Sequence, residues 1–150
     1  MKAAHGRIGV ALLIGLVLLA ATLAALGSWP AGPQRVLAQG PDGQATYYVA
    51  LSCAGMPTPC FTSVQAAVDV ADAADDVIKV ATGLYTDVHA REGVTQVVYL
   101  DKTVVIQGGY TVTNWTTPDP ALYPTVLSAL GKGRVVYIIG NITPTLAGLR

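Results

Sequence analysis

From Val77 onward the chain consists of short β-branched runs, at residues 77–81, 97–100, 103–107, 125–127, 135–139 and 146–149, separated by Gly, Pro, Asn and Asp. Runs of this length are too short for helices and fit strands. Several are apolar at consecutive positions, as in Val104-Val105-Ile106 and Val135-Val136-Tyr137-Ile138-Ile139. That pattern suits strands with one deeply buried face and one half-covered face, rather than the strict alternation of a sheet wet on one side. Residues 39–150 hold 16 Val and 14 Thr, so β structure is expected to dominate. Neither Asn-Gly nor Asp-Gly separates adjacent runs, and a meander of hairpins needs such turns. The strands are therefore expected to coil rather than to meander.

The segment before Val77 reads differently. Residues 39–45 are rich in Gly, Pro and Gln and form a linker, and residues 46–50 (Thr-Tyr-Tyr-Val-Ala) are the first expected strand. One helix is expected, over residues 62–74. Thr62 with Gln65 three residues later makes a capping-box pattern, and Val64, Ala67, Val68 and Ala71 recur on one helical face. That stripe is narrow and light, as befits a helix lying close on a flat support. Asp69, Asp72, Asp75 and Asp76 fall elsewhere and read as a solvated face that ends the helix.

Only 12% of the chain is charged, against roughly 25% in an average soluble domain. The cause is local. Lys2, His5 and Arg7 precede a 19-residue uncharged run at residues 8–26, which Trp29-Pro30 terminates. Residues 1–38 thus read as an export signal, with Val36-Leu37-Ala38 as a cleavage site, or as an uncleaved N-terminal anchor, since about 20 apolar residues span a bilayer. Either way the remainder is exported, to the medium or the cell surface, and the membrane is met only through an uncleaved leader. Residues 39–150 carry six basic against nine acidic residues, which excludes the basic footprint of a nucleic-acid binder. Their two cysteines, Cys53 and Cys60, flank a Gly- and Pro-containing segment and are expected to form a disulfide. Two Cys with no nearby His or further Cys cannot complete a zinc site, so no metal and no cofactor is expected.

The helix start Ser63-Val64-Gln65-Ala66-Ala67-Val68, the strand Asp76-Val77-Ile78-Lys79-Val80 and the turn Gly83-Leu84-Tyr85 resemble the N-terminal cap and first turns of right-handed parallel β-helix proteins of the pectin-lyase-like superfamily. Asp75 stands where that family usually has Gly. The pieces Lys102 to Tyr110, Thr125-Val126-Leu127-Ser128, Val135 to Gly140 and Leu146-Ala147-Gly148-Leu149 resemble later rungs, so the likeness covers most of residues 46–150. It implies an all-β solenoid closed at its start by a short helix. Such coils need about three or more rungs and a cover at each end. Residues 46–150 are accordingly expected to be the N-terminal part of a longer, here truncated, coil.

The resemblance also implies two function classes. Polysaccharide lyases and glycoside hydrolases of the superfamily need paired carboxylates, or acids beside a basic residue. His89, Arg91 and Glu92 are the one such group, with Asp75, Asp76, Asp87 and Asp101 as further acids, and they read as a solvated loop. No catalytic residue is assigned. The preferred expectation is a non-catalytic surface or secreted protein that contacts polysaccharide or a cell-surface protein through Tyr99, Tyr110, Trp115 and Tyr123, with Tyr137 a further aromatic candidate. The N-terminal part of a lyase or hydrolase is the alternative.

Overall fold

β-branched and aromatic side chains fit a pleated, half-buried surface, and strands form where the sequence concentrates them. The computed structural model describes residues 43–72 and 74–150. The apolar run at 8–26, and with it the signal or anchor, lies outside the described residues. In chain order the elements are β1 (Thr46–Val49), β2 (Cys60–Phe61), α1 (Val64–Val70), β3 (Asp76–Ala81), β4 (Gly83–Tyr85), β5 (His89–Arg91), β6 (Val94–Leu100), β7 (Val104–Tyr110), β8 (Thr125–Leu127), β9 (Arg134–Ile138) and β10 (Thr145–Ala147). All six expected runs after Val77 contain strand residues.

The described residues are mostly β, and the pairing is predominantly parallel. One sheet has the order β10-β7-β3-β1-β2, a second pairs β4 with β8, and a third has the order β5-β6-β9. Strands β3, β4 and β6 are overlaid in the same chain order by β7, β8 and β9, each pair parallel. Leu149 adds to the second sheet through a parallel bridge to Thr125. Register is kept along the five-stranded sheet: Tyr47, Ile78, Ile106 and Leu146 form one inward column. Val49, Val80, Val98, Leu100 and Val104 are fully buried with Tyr47, Ile78 and Ile106 in one apolar core, whereas Leu146 is exposed.

Among the described residues one antiparallel strand pair interrupts this parallel pattern. β5 and β6 are antiparallel, with Arg91 opposite Val94, joined by Glu92-Gly93 at φ 52° and 77°. Both turn residues have positive φ, as the favoured two-residue hairpin turn requires. The segment holding His89, Arg91 and Glu92 is therefore a strand and turn, not the loop expected from sequence. Glu-Gly supplies a geometry usually written Asn-Gly or Asp-Gly.

The helix is shorter than residues 62–74, and its start is not the expected capping box. Ser63 is the N-cap and makes no side-chain cap bond. Thr62 is exposed. Gln65 is buried and points across the core, where its Oε1 accepts from Tyr99 N at 2.6 Å and its Nε2 donates to Asp69 at 2.7 Å. An amide that satisfies a buried strand N–H is more useful here than one capping an exposed helix start. The stripe itself is as expected, with Val64, Ala67, Val68 and Ala71 all buried. It lies against β1, β2, β3 and β6.

Asp75 has φ 68°, so this position takes the left-handed conformation for which glycine is the usual choice. Its N–H donates to Thr103 O and its carbonyl accepts from the Gln44 amide. Asp76, the next residue, is fully buried and its carboxylate accepts from the backbone N–H of Ala45 and of Asp72.

Candidate binding face

Alternation along the five-stranded sheet sends Tyr47 inward and Tyr48 outward. Register then lines up an outward row across the strands: Cys60, Tyr48, Lys79, Gln107 and Ala147. Neighbours in such a row sit about 4.8 Å apart, so their side chains make one continuous surface. Trp115, from the excursion between β7 and β8, packs onto this row. Its ring lies 5.1 Å from Tyr48, edge to face at 77°, and 5.9 Å from Tyr110, stacked at 27°. Lys79 Nζ donates to Trp115 O at 2.7 Å and sits 5.2 Å over the Tyr110 ring. The Tyr110 hydroxyl donates to Gln107 Oε1 at 2.8 Å. Burial raises the Tyr110 pKa, keeping the hydroxyl a neutral donor.

Local chemistry holds the excursion in place. Asn114 Oδ1 accepts from the N–H groups of Thr116 and Thr117, and Asp119 Oδ1 from those of Ala121 and Leu122. These are side-chain-stabilised turns, the ordinary work of Asn and Asp in loops. Gly109, at φ 90°, lets Pro120 close in: a Cβ there would stand 2.7 Å from the proline nitrogen. The loop consequently returns over the sheet and delivers Trp115 to Tyr48 and Tyr110.

A second aromatic stack covers β6 and β9. Tyr99 and Tyr137 are register partners with rings 5.6 Å apart. Arg91 lies 5.0 Å over Tyr99 and Arg134 lies 5.7 Å over Tyr137. Arg91 also pairs with Asp69 at 2.9 Å, and that bond raises its pKa. The Tyr99 hydroxyl donates to Glu92 at 3.0 Å; burial and this contact raise the Tyr99 pKa.

The four aromatic candidates thus divide. Tyr110, itself buried, and the half-buried Trp115 come together, Tyr99 is buried on β6, and Tyr123 is exposed on the β7–β8 excursion. Tyr48, Lys79 and Gln107 were not singled out from sequence. Finding them needs the interstrand register, which alternation alone does not supply. Of the acid–base group, Arg91 is committed to Asp69 and Glu92 to Tyr99. His89 Nε2 and Gln96 Oε1, on a cross-strand pair, are buried without a hydrogen-bond partner. No cluster of three or more His, Cys, Asp or Glu able to hold a metal occurs among the described residues.

Cys53 and Cys60 form a disulfide with Cα atoms 5.7 Å apart, compatible with an extracellular location. No helix among the described residues is long and apolar enough to cross a membrane. Comparison of the chain with protein-family models, curated proteins and solved structures found no match.

Proposed function

We propose that the chain is an exported right-handed parallel β-helix segment that binds saccharide non-catalytically on the outward face of its five-stranded sheet. Parallel overlay of β3, β4 and β6 by β7, β8 and β9 supports the coil reading, since a chain retracing three strand directions in order advances as a solenoid. The observation that carries the binding reading is the outward cluster in which the half-buried Tyr48 and Trp115 rings pack over the buried Tyr110, with half-buried Lys79 and Gln107 beside them. The exposed edges of the Tyr48 and Trp115 rings offer apolar surface to sugar C–H groups, and the remaining Lys79 ammonium and Gln107 amide hydrogens offer donors to sugar hydroxyls. The non-catalytic reading rests on how the acids and bases are used. Arg91, Glu92 and Asp76 are tied to structural partners.

The test is tryptophan fluorescence of the exported protein during titration with soluble linear oligosaccharides, together with assay of the same sugars for cleavage. The expected result is a saturable change in emission without cleavage. Tyr48→Ala should weaken binding about tenfold, the loss of roughly one ring–sugar contact. Cleavage of the sugars by the unmodified protein would contradict the reading, as would binding that ignores Tyr48→Ala.

A further inference from the structure

We propose that residues 112–118 form a strap that opens and closes over the outward face of the five-stranded sheet, with the Trp115 indole as its latch. The inference rests on the saccharide-binding reading above and adds how access to that face is controlled. In the closed arrangement the indole stands where a ligand ring would stack. It lies on Tyr110 at 27° with centroids 5.9 Å apart, and beneath it Tyr110 is only 2% exposed. Tyr48 meets the same indole edge to face at 5.1 Å. The Tyr110 ring is thus covered by the protein's own side chain.

The strap is fixed at its ends and lightly fastened between them. Before it, Tyr110 O accepts from Thr82 N–H at 2.7 Å, and after it, Asp119 N–H donates to Gly109 O at 2.8 Å. Among the described residues, the one hydrogen bond from residues 112–118 to the sheet is that which Trp115 O accepts from Lys79 Nζ at 2.7 Å. The bonds of Asn114 run to Thr111, Thr116 and Thr117, so they stiffen the segment without tying it down. A stiff segment between two fixed ends swings as a unit. Closure also leaves the Trp115 Nε1–H buried without an acceptor. Such a donor forfeits its bond to water and gains none in return. Opening restores that bond and uncovers Tyr110 together with Gln107, which the Tyr110 hydroxyl holds at 2.8 Å. Ring packing favours the closed arrangement and the stranded indole N–H opposes it, which keeps the open one within thermal reach. A ligand that needs the Tyr110 ring binds only the open arrangement and shifts the strap towards it.

Acrylamide quenching of tryptophan emission tests the strap without any ligand, in the full chain carrying Trp29→Phe so that Trp115 is the only tryptophan. The closed strap should shield the indole. Lys79→Met keeps an apolar stem but deletes the bond to Trp115 O, and should raise the open population about tenfold, read as a rise in the quenching constant. Lys132→Met, on the exposed turn at residues 129–132, should leave quenching unchanged. Circular dichroism checks that each variant folds. Surface plasmon resonance with soluble linear oligosaccharide as probe then follows Trp115→Ala, which should associate about tenfold faster than the unmodified protein, because its binding-competent state is no longer the minor one. Equal quenching with and without Lys79→Met, an indole already fully accessible in the presence of Lys79, or association of Trp115→Ala no faster than that of the unmodified protein would overturn the strap. Failure of the oligosaccharide to bind any of these proteins would overturn the binding reading instead, while the quenching comparison still decides whether the strap opens.

Discussion

The two ends of the described sheets treat the same kind of residue in opposite ways. Along one inward column, Tyr47, Ile78 and Ile106 are 1%, 0% and 0% exposed, whereas Leu146 on β10 is 40% exposed. At the helix end α1 covers the core, Gln65 satisfies the Tyr99 N–H, Asp76 holds Ala45 and Asp72, and a disulfide fastens β2 to the preceding segment. At the far end the described residues supply none of these devices. An apolar side chain in a stacked sheet is buried by what lies on both sides of it, so a strand's own sequence does not decide its burial.

The largest expected effect contrasts two positions of that column. Ile106→Ala should destabilise the protein by about 2–5 kcal/mol, while Leu146→Ala, already in contact with water, should cost less than about 1 kcal/mol. Urea denaturation measures both, and equal losses would break the contrast between the ends. Removing the disulfide with Cys53→Ser and Cys60→Ser should cost about 2–3 kcal/mol by the chain-entropy account of so short a loop. That loss should speed hydrogen exchange near β1 and β2 before β9 and β10.

Alkaline titration is expected to weaken the helix end. Burial and the neighbouring Asp76 and Asp72 carboxylates push the Tyr47 pKa up to about 12, and burial pushes Tyr85 to about 12, both from 10.0. Each folded-state tyrosine holds its proton after the unfolded chain has released it. The stability this confers is fully present below pH 10 and is lost as pH rises towards about 12, on the order of 2 kcal/mol per tyrosine. Tyr85→Phe should remove its share of this alkaline slope in pH-dependent unfolding. The smallest effect is at Asp75: Asp75→Gly should be more stable than Asp75→Ala by about 1 kcal/mol, because only glycine accepts its positive φ without strain.

Much of this fold was legible in the sequence because its signals are local. The β-branched runs mark β3, β6, β7, β8, β9 and β10, and the Val64, Ala67, Val68 and Ala71 spacing marks the buried helix face. Long-range pairing was not legible. Gln65 carries the pattern of a helix cap, yet its amide is used by Tyr99, 34 residues away. β2 is only two residues long, and β4 looked like a turn because a Gly-x-Tyr triplet becomes a strand only when β8 lies beside it. The binding face was half legible for the same reason. Trp115 and Tyr110 stand out as aromatic residues, but Lys79 becomes their neighbour only once its register with Tyr48 is known.

The most direct test of the account is the spacing along one outward row. Thr46, Val77, Val105 and Thr145 are successive register partners on β1, β3, β7 and β10. Nitroxide pairs placed by cysteine substitution at 46 and 77, 46 and 105, and 46 and 145, with the native disulfide intact, should show dipolar broadening that falls in that order. The backbone separations should rise through one, two and three strand spacings of about 4.8 Å each. A 46–145 pair as distant as an unpaired segment, or distances that do not follow the row, would contradict parallel in-register stacking and the coil built on it.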